Sequence, residues 1–143
     1  MTRLLTARAF VDDETTMLSR YKIYRGKRPA LDPLPRGRRQ DTRWRINHPL
    51  RPTQEIVELY LASPTDEAWQ QFTAQYLALL EKRFSEDRAP FDALAALARE
   101  NDVYLGCSCP TKKNPNKEHC HTYQALRFMK EKYPALKVVF PKL

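Results

Sequence analysis

Glycine is nearly absent from this sequence, with three in 143 residues. No Gly-rich loop is therefore available to cradle a phosphate on backbone N–H groups. Long apolar runs are missing too, and none approaches the roughly 18 residues that a membrane span needs. The opening Met-Thr-Arg-Leu-Leu-Thr-Ala-Arg is too short and too interrupted for a signal peptide. These gaps lead us to expect a soluble, cytoplasmic protein with no membrane partner. Cysteine is scarce: three residues, an odd number, two of them one position apart. That argues against a disulfide framework and leaves reduced thiols as the expectation. The chain carries no internal repeat and no low-complexity tract, and its length suits one domain that buries about 68–70% of the unfolded surface.

Acidic residues are also in short supply, and the shortage is local. Between Arg20 and Arg51 eleven Lys/Arg face only Asp32 and Asp41, a local +9 that exceeds the net +8 of the whole chain. Arg25, Arg28, Arg36, Arg38, Arg39 and Arg43, interleaved with aromatic side chains such as Trp44, have the composition of a phosphate-tracking surface with stacking platforms. The competing reading is a solvated loop whose charge serves solubility. Prolines at 29, 33, 35, 49 and 52 break any regular pattern, so residues 26–51 are expected to be an extended, irregular basic loop.

Elsewhere periodicity returns. Arg3–Phe10 and Tyr21–Tyr24 read as short strands. Ile56, Leu59 and Tyr60 fit a helix opening near Thr53. Ser63-Pro64 reads as the cap and first residue of a longer one that carries Trp69, Phe72, Tyr76 and Leu80 on one side. Pro90 opens a third helix with Phe91, Leu94, Leu97 and Ala98 on its core face. Val103–Leu105 is a strand, Tyr123, Leu126, Met129 and Tyr133 mark a last helix, and Lys137–Phe140 reads as a final strand. Strands alternating with helices predict a single α/β domain with a small, mostly parallel sheet covered by helices.

All three cysteines and two of the three histidines fall between Val103 and Met129. Cys107 and Cys109 leave a strand, while Cys120 and His121 enter a helix, the kind of junction where an α/β protein places its chemistry. Three readings follow. Cys107 or Cys120 could act as a reactive thiolate beside Lys112, Lys113, Lys117 and a helix N-terminus, with His121 as base, making a thiol-dependent enzyme or redox protein. Cys107, Cys109, Cys120 and His121 could hold zinc, although Cys-x-Cys is tight and adjacent Cys120-His121 rarely aim both side chains at one ion. Cys107 could also be a small buried hydrophobe and His121 a hydrogen-bonding helix residue.

The run Leu50-Arg51-Pro52-Thr53-Gln54-Glu55-Ile56, the Trp69…Phe72…Tyr76 and Phe91…Leu94…Leu97 patterns, the stretch Asp102 to Cys109 and the pair Cys120-His121 together resemble the domain of unknown function 488 (DUF488) family. That family pairs a helix start P-S-x-E-L with a strand ending L-L-C-x-E and a later C-H-R. The resemblance implies a compact α/β domain with Cys107, Cys120 and His121 gathered at one end of the sheet. Cys109 stands where the family often has an acid, and Thr122 replaces the arginine after Cys-His. A similar L-G-C-x-C…C-H run occurs in the family of unknown function 4326, without a match to its N-terminal pattern. The combined expectation is a protein that binds a phosphate-bearing ligand, nucleic acid or a nucleotide, with a Cys/His site at the sheet's end.

Overall fold

A computed structural model describes residues 16–141. The expected strand Arg3–Phe10 lies outside the described residues. The elements run β1 (Leu18–Lys22), β2 (Arg38–Asp41), α1 (Gln54–Ala62), α2 (Asp66–Glu86), α3 (Ala89–Glu100), β3 (Val103–Cys107) and α4 (His121–Lys132). β3 is the central strand, with β1 and β2 as parallel neighbours on either side. The result is a small parallel sheet flanked by helices, as the alternation of strands and helices predicts. No helix of the described residues is long and apolar enough to cross a membrane.

The helices start where side chains can satisfy their free N–H groups. Thr53 Oγ1 accepts from the Ile56 N–H at 3.2 Å and Thr65 Oγ1 from the Ala68 N–H at 3.1 Å, each worth about 1 kcal/mol. The cap of α2 is thus Thr65 and not Ser63. Pro64 precedes the cap because Asp66 is the first helical residue. Phe72, Tyr76 and Leu80 on α2, Phe91, Leu94 and Ala98 on α3, and Ala125, Leu126 and Met129 on α4 close over Leu18, Val103 and Leu105 of the sheet. At roughly 25 cal/mol per Å² of apolar surface, this burial is the main stabilising term.

Two strand expectations need correction. The second strand is Leu18–Lys22 and not Tyr21–Tyr24, because Leu18 and Ser19 are the residues that reach the core. The basic stretch is not wholly irregular, since Arg38–Asp41 forms β2. Four polar residues carry no apolar alternation; backbone pairing to β3 makes the strand. Gly37 admits it: its φ of +132° excludes most side chains, and a Cβ there would lie 2.6 Å from the Asp102 carbonyl. The last expected strand, Lys137–Phe140, shrinks to one parallel bridge between Val138 and Leu18.

The basic segment is also tied down past β2. Tyr76 Oη donates to the Leu50 carbonyl at 2.5 Å, and Arg83 Nη1 donates to the Pro49 and Arg51 carbonyls at 2.9 and 2.5 Å. His48 is held as a neutral ring. Its Nδ1 accepts from the Leu50 N–H at 3.1 Å, so the Nε2–H faces Gln40 Oε1 at 2.7 Å. A second ring proton would oppose the Leu50 N–H; burial first, and then the nearby His121, lower the His48 pKa to about 4. Unfolded His48 takes its proton near pH 6.5 and the folded ring only near 4. Stability is therefore complete above pH 6.5 and falls as pH drops through that window, by up to about 3 kcal/mol. Urea unfolding at pH 7.0 and 4.5 measures the loss, and His48→Asn should show a shallower one by about that amount. An equal loss in both proteins would refute the assignment.

Candidate metal centre

Because the three described strands are parallel, their C-terminal ends share one edge, with Lys22 opposite Cys107 and Asp41 opposite Gly106. This is the edge where parallel sheets bind ligands. Cys107 is the last residue of β3, Cys109 follows in the turn, and α4 returns to the same place with Cys120 as its N-cap and His121 as its first residue. The three sulfurs lie within 4.8 Å of one another. Cys107 Sγ is 3.7 Å from Cys109 Sγ and 3.6 Å from His121 Nδ1.

The tight spacing does not keep these groups apart. Cys120 is extended, with φ −133° and ψ 134°, whereas His121 is already helical. The change of backbone between them lets both side chains face Cys107. The site is largely closed to solvent. Cys107 is 5% exposed and Cys120 1%, with only Cys109 partly accessible. The connection from Pro110 to His119 covers them, burying Asn114 and His119 although its other residues are mostly exposed.

The protonation pattern follows from the contacts. Thr42 gives its hydroxyl proton to the Gly106 carbonyl at 3.0 Å, so its oxygen accepts from His121 Nε2–H at 2.8 Å. The lone pair on Nδ1 then faces the sulfurs. Burial pushes the Cys120 thiol up, but the adjoining Cys107, Cys109 and His121 outweigh it and bring its pKa well below the usual thiol value. Cys107, donating to Cys109 and packed against Cys120, is raised well above it. Cys109 is relieved by Cys107 but raised more by Cys120 and by burial, to about 12. The cause of the low Cys120 pKa is therefore the sulfur cluster and His121, not Lys112, Lys113 or Lys117, which are exposed.

Arg20 balances that negative charge. Its Nε donates to Thr122 Oγ1 at 2.8 Å, and Nη2 reaches the Cys109 carbonyl at 3.4 Å and Cys120 Sγ at 3.8 Å. Burial works against the guanidinium charge, but Cys120, Tyr123 and Cys107 more than offset it and raise its pKa. Tyr123 lies beneath it, with the ring centroid 5.1 Å away. Among the described residues Arg20 pairs with no carboxylate, so the sulfurs are its counter-charge.

The structure thus gathers three of the four residues expected to bind metal, Cys107, Cys109 and Cys120, into one cluster, and sets the fourth, His121, against Cys107. The basic residues expected to bind ligand are divided. Arg28 is spent on the Lys22 carbonyl and Asp32, Arg43 on Asp41 at 2.7 Å, and Arg39 on the Pro35 carbonyl at 2.9 Å. Arg25, Arg36 and Arg38 are exposed, with no side-chain hydrogen bond among the described residues. Half-buried Trp44 has the Arg45 guanidinium 5.1 Å from its ring. Arg20, Thr42, Asn114 and Thr122 are site residues that the sequence reading missed. For Arg20 the available signal was a cation three positions into a strand that begins Leu-Ser.

A family model described as the active DUF488-N3 subclade matches residues 13–132. No curated protein and no solved structure matches the chain.

Proposed function

The chain belongs to the DUF488 family, and from that premise we propose that it is a metal-centred binding protein. Cys107, Cys109, Cys120 and His121 Nδ1 hold one zinc ion at the C-terminal edge of the sheet. The observation that carries this is the spacing. Bonds of about 2.3 Å to sulfur and 2.0–2.1 Å to nitrogen, set tetrahedrally, place sulfurs roughly 3.8 Å apart and sulfur from nitrogen roughly 3.6 Å. Cys107 meets those figures at 3.7 Å to Cys109 and 3.6 Å to His121. Three thiolates and one neutral imidazole around a divalent cation leave a single negative charge, and Arg20 beside Cys120 cancels it. Four protein donors close the coordination shell, so the ion's role is to fix the edge of the sheet.

Burial weighs against thiol catalysis as the function. Cys120, the thiol with the lowered pKa, is 1% exposed and suits a ligand to an enclosed cation better than a nucleophile that must meet a substrate.

A phosphate-bearing ligand remains the second reading for the surface around this centre, supported by the exposed Arg25, Arg36, Arg38 and Arg45. Binding of a fluorescent oligonucleotide that weakens steeply with salt, and again when Arg36 and Arg38 become Ala, is the expected result. Salt-independent or absent binding removes it. For the centre itself, elemental analysis of purified protein should find about one zinc per chain, and cobalt substitution should give intense sulfur-to-cobalt charge-transfer bands. A folded, metal-free protein that takes up neither ion overturns the proposal.

A further inference from the structure

Cys109 is the weakest placed of the four donors. It belongs to no strand or helix and is the most exposed of the three cysteines. What holds it is a side chain five residues further on. Asn114 is 3% exposed, and its Nδ2 donates both to Cys109 Sγ at 3.2 Å and to the His119 carbonyl at 2.6 Å. Its Oδ1 accepts from Tyr60 Oη at 2.9 Å. An amide flipped end for end would present an oxygen to the His119 carbonyl, so this arrangement fixes which end faces the sulfur.

Tyr60, on α1, and His119, in the connection before α4, lock the amide. The Tyr60 proton goes to Asn114, so its oxygen accepts from His119 Nδ1–H at 2.7 Å. The His119 ring stacks on Trp69 with centroids 4.8 Å apart and planes 13° apart. A chain of contacts therefore runs from α1 and α2 through one buried amide to a sulfur at the sheet edge. An N–H directed at a metal-bound thiolate orients its lone pairs and draws off part of its charge, in the way that outer-shell partners tune metal ligands.

We infer that Asn114, set by Tyr60 and His119, is the positioning residue that keeps Cys109 in the coordination set. This rests on the metal reading above. Cobalt-loaded and zinc-loaded full-length protein, wild type beside Asn114→Ala and Tyr60→Phe, provides the test. Without the N–H the Cys109 sulfur is more electron-rich, so the sulfur-to-cobalt band should move to lower energy in Asn114→Ala. Transfer of zinc to a chromophoric chelator should be ten- to a hundredfold faster. Tyr60→Phe leaves the amide in place but unlocked, so it should shift both readouts in the same direction by less. A wild-type protein that binds no cobalt would take down the metal centre itself. A wild type that binds it, beside variants with the same band and the same release rate, would overturn the role of Asn114 alone. Should Asn114→Ala fail to fold, an unchanged band and release rate in Tyr60→Phe would also overturn it.

Discussion

Replacing Cys107, Cys109 or Cys120 by Ala is expected to lower the thermal midpoint by roughly 8–16 °C, and each double replacement to lower it hardly further. If any one loss empties the centre, the remaining donors have nothing left to lose. Saturation at about a thousand times the dissociation constant contributes about 4 kcal/mol of stability, and a domain of this size moves by roughly 2–4 °C per kcal/mol. Packing alone predicts something different. Cys107 and Cys120 are small and buried, and trimming each would cost on the order of 1 kcal/mol through a shallow cavity, with the two losses adding. The apo protein should stay folded, because the core around Tyr76, Leu80, Phe91 and Leu126 does not involve the sulfurs. Differential scanning calorimetry of the singles and doubles, with and without added zinc, separates the two accounts. Small additive losses that zinc does not change would count decisively against the metal centre.

The helices were legible in the sequence because their signals are local. Thr53 and Pro90 mark starts, and Phe72, Tyr76 and Leu80 recur on one face, all three buried as expected. β3 was legible from Val103-Tyr104-Leu105, although it runs on through Gly106 to Cys107. β2 was not, since Arg38-Arg39-Gln40-Asp41 owes its conformation to backbone pairing with a strand 65 residues away in register. At the site, residue type was informative and spacing misled. Cys107, Cys109 and Cys120 do cluster, with His121 against Cys107, and counting residues between them hid the change from extended to helical backbone between Cys120 and His121. Thr42, Asn114 and Tyr60 act through contacts that no short window of sequence contains, such as the bond from Tyr60 to Asn114 across 54 positions.

Arg20 is the residue whose loss should do most damage short of removing a donor. Arg20→Met keeps the length and much of the stem but withdraws the charge. It leaves the Cys109 carbonyl and the Thr122 hydroxyl without their donor and the sulfur cluster without its counter-ion. Removing one partner of a fully buried ion pair costs about 3–5 kcal/mol. Arg20 keeps part of its surface in water, so a loss of about 2–3 kcal/mol is expected in urea unfolding of the zinc-loaded protein. Arg20→Lys should recover only part of it, because an ammonium restores the charge but not the fork that reaches Thr122, Cys109 and Cys120 together. Metal affinity should follow the same order, wild type above Lys above Met, since the cation offsets the net negative charge that binding leaves on the cluster. If Arg20→Met binds zinc as tightly as wild type and unfolds within about 0.5 kcal/mol of it, the range of an ordinary surface change, then Arg20 is a packing residue of β1 and the charge balance drawn for the centre is wrong.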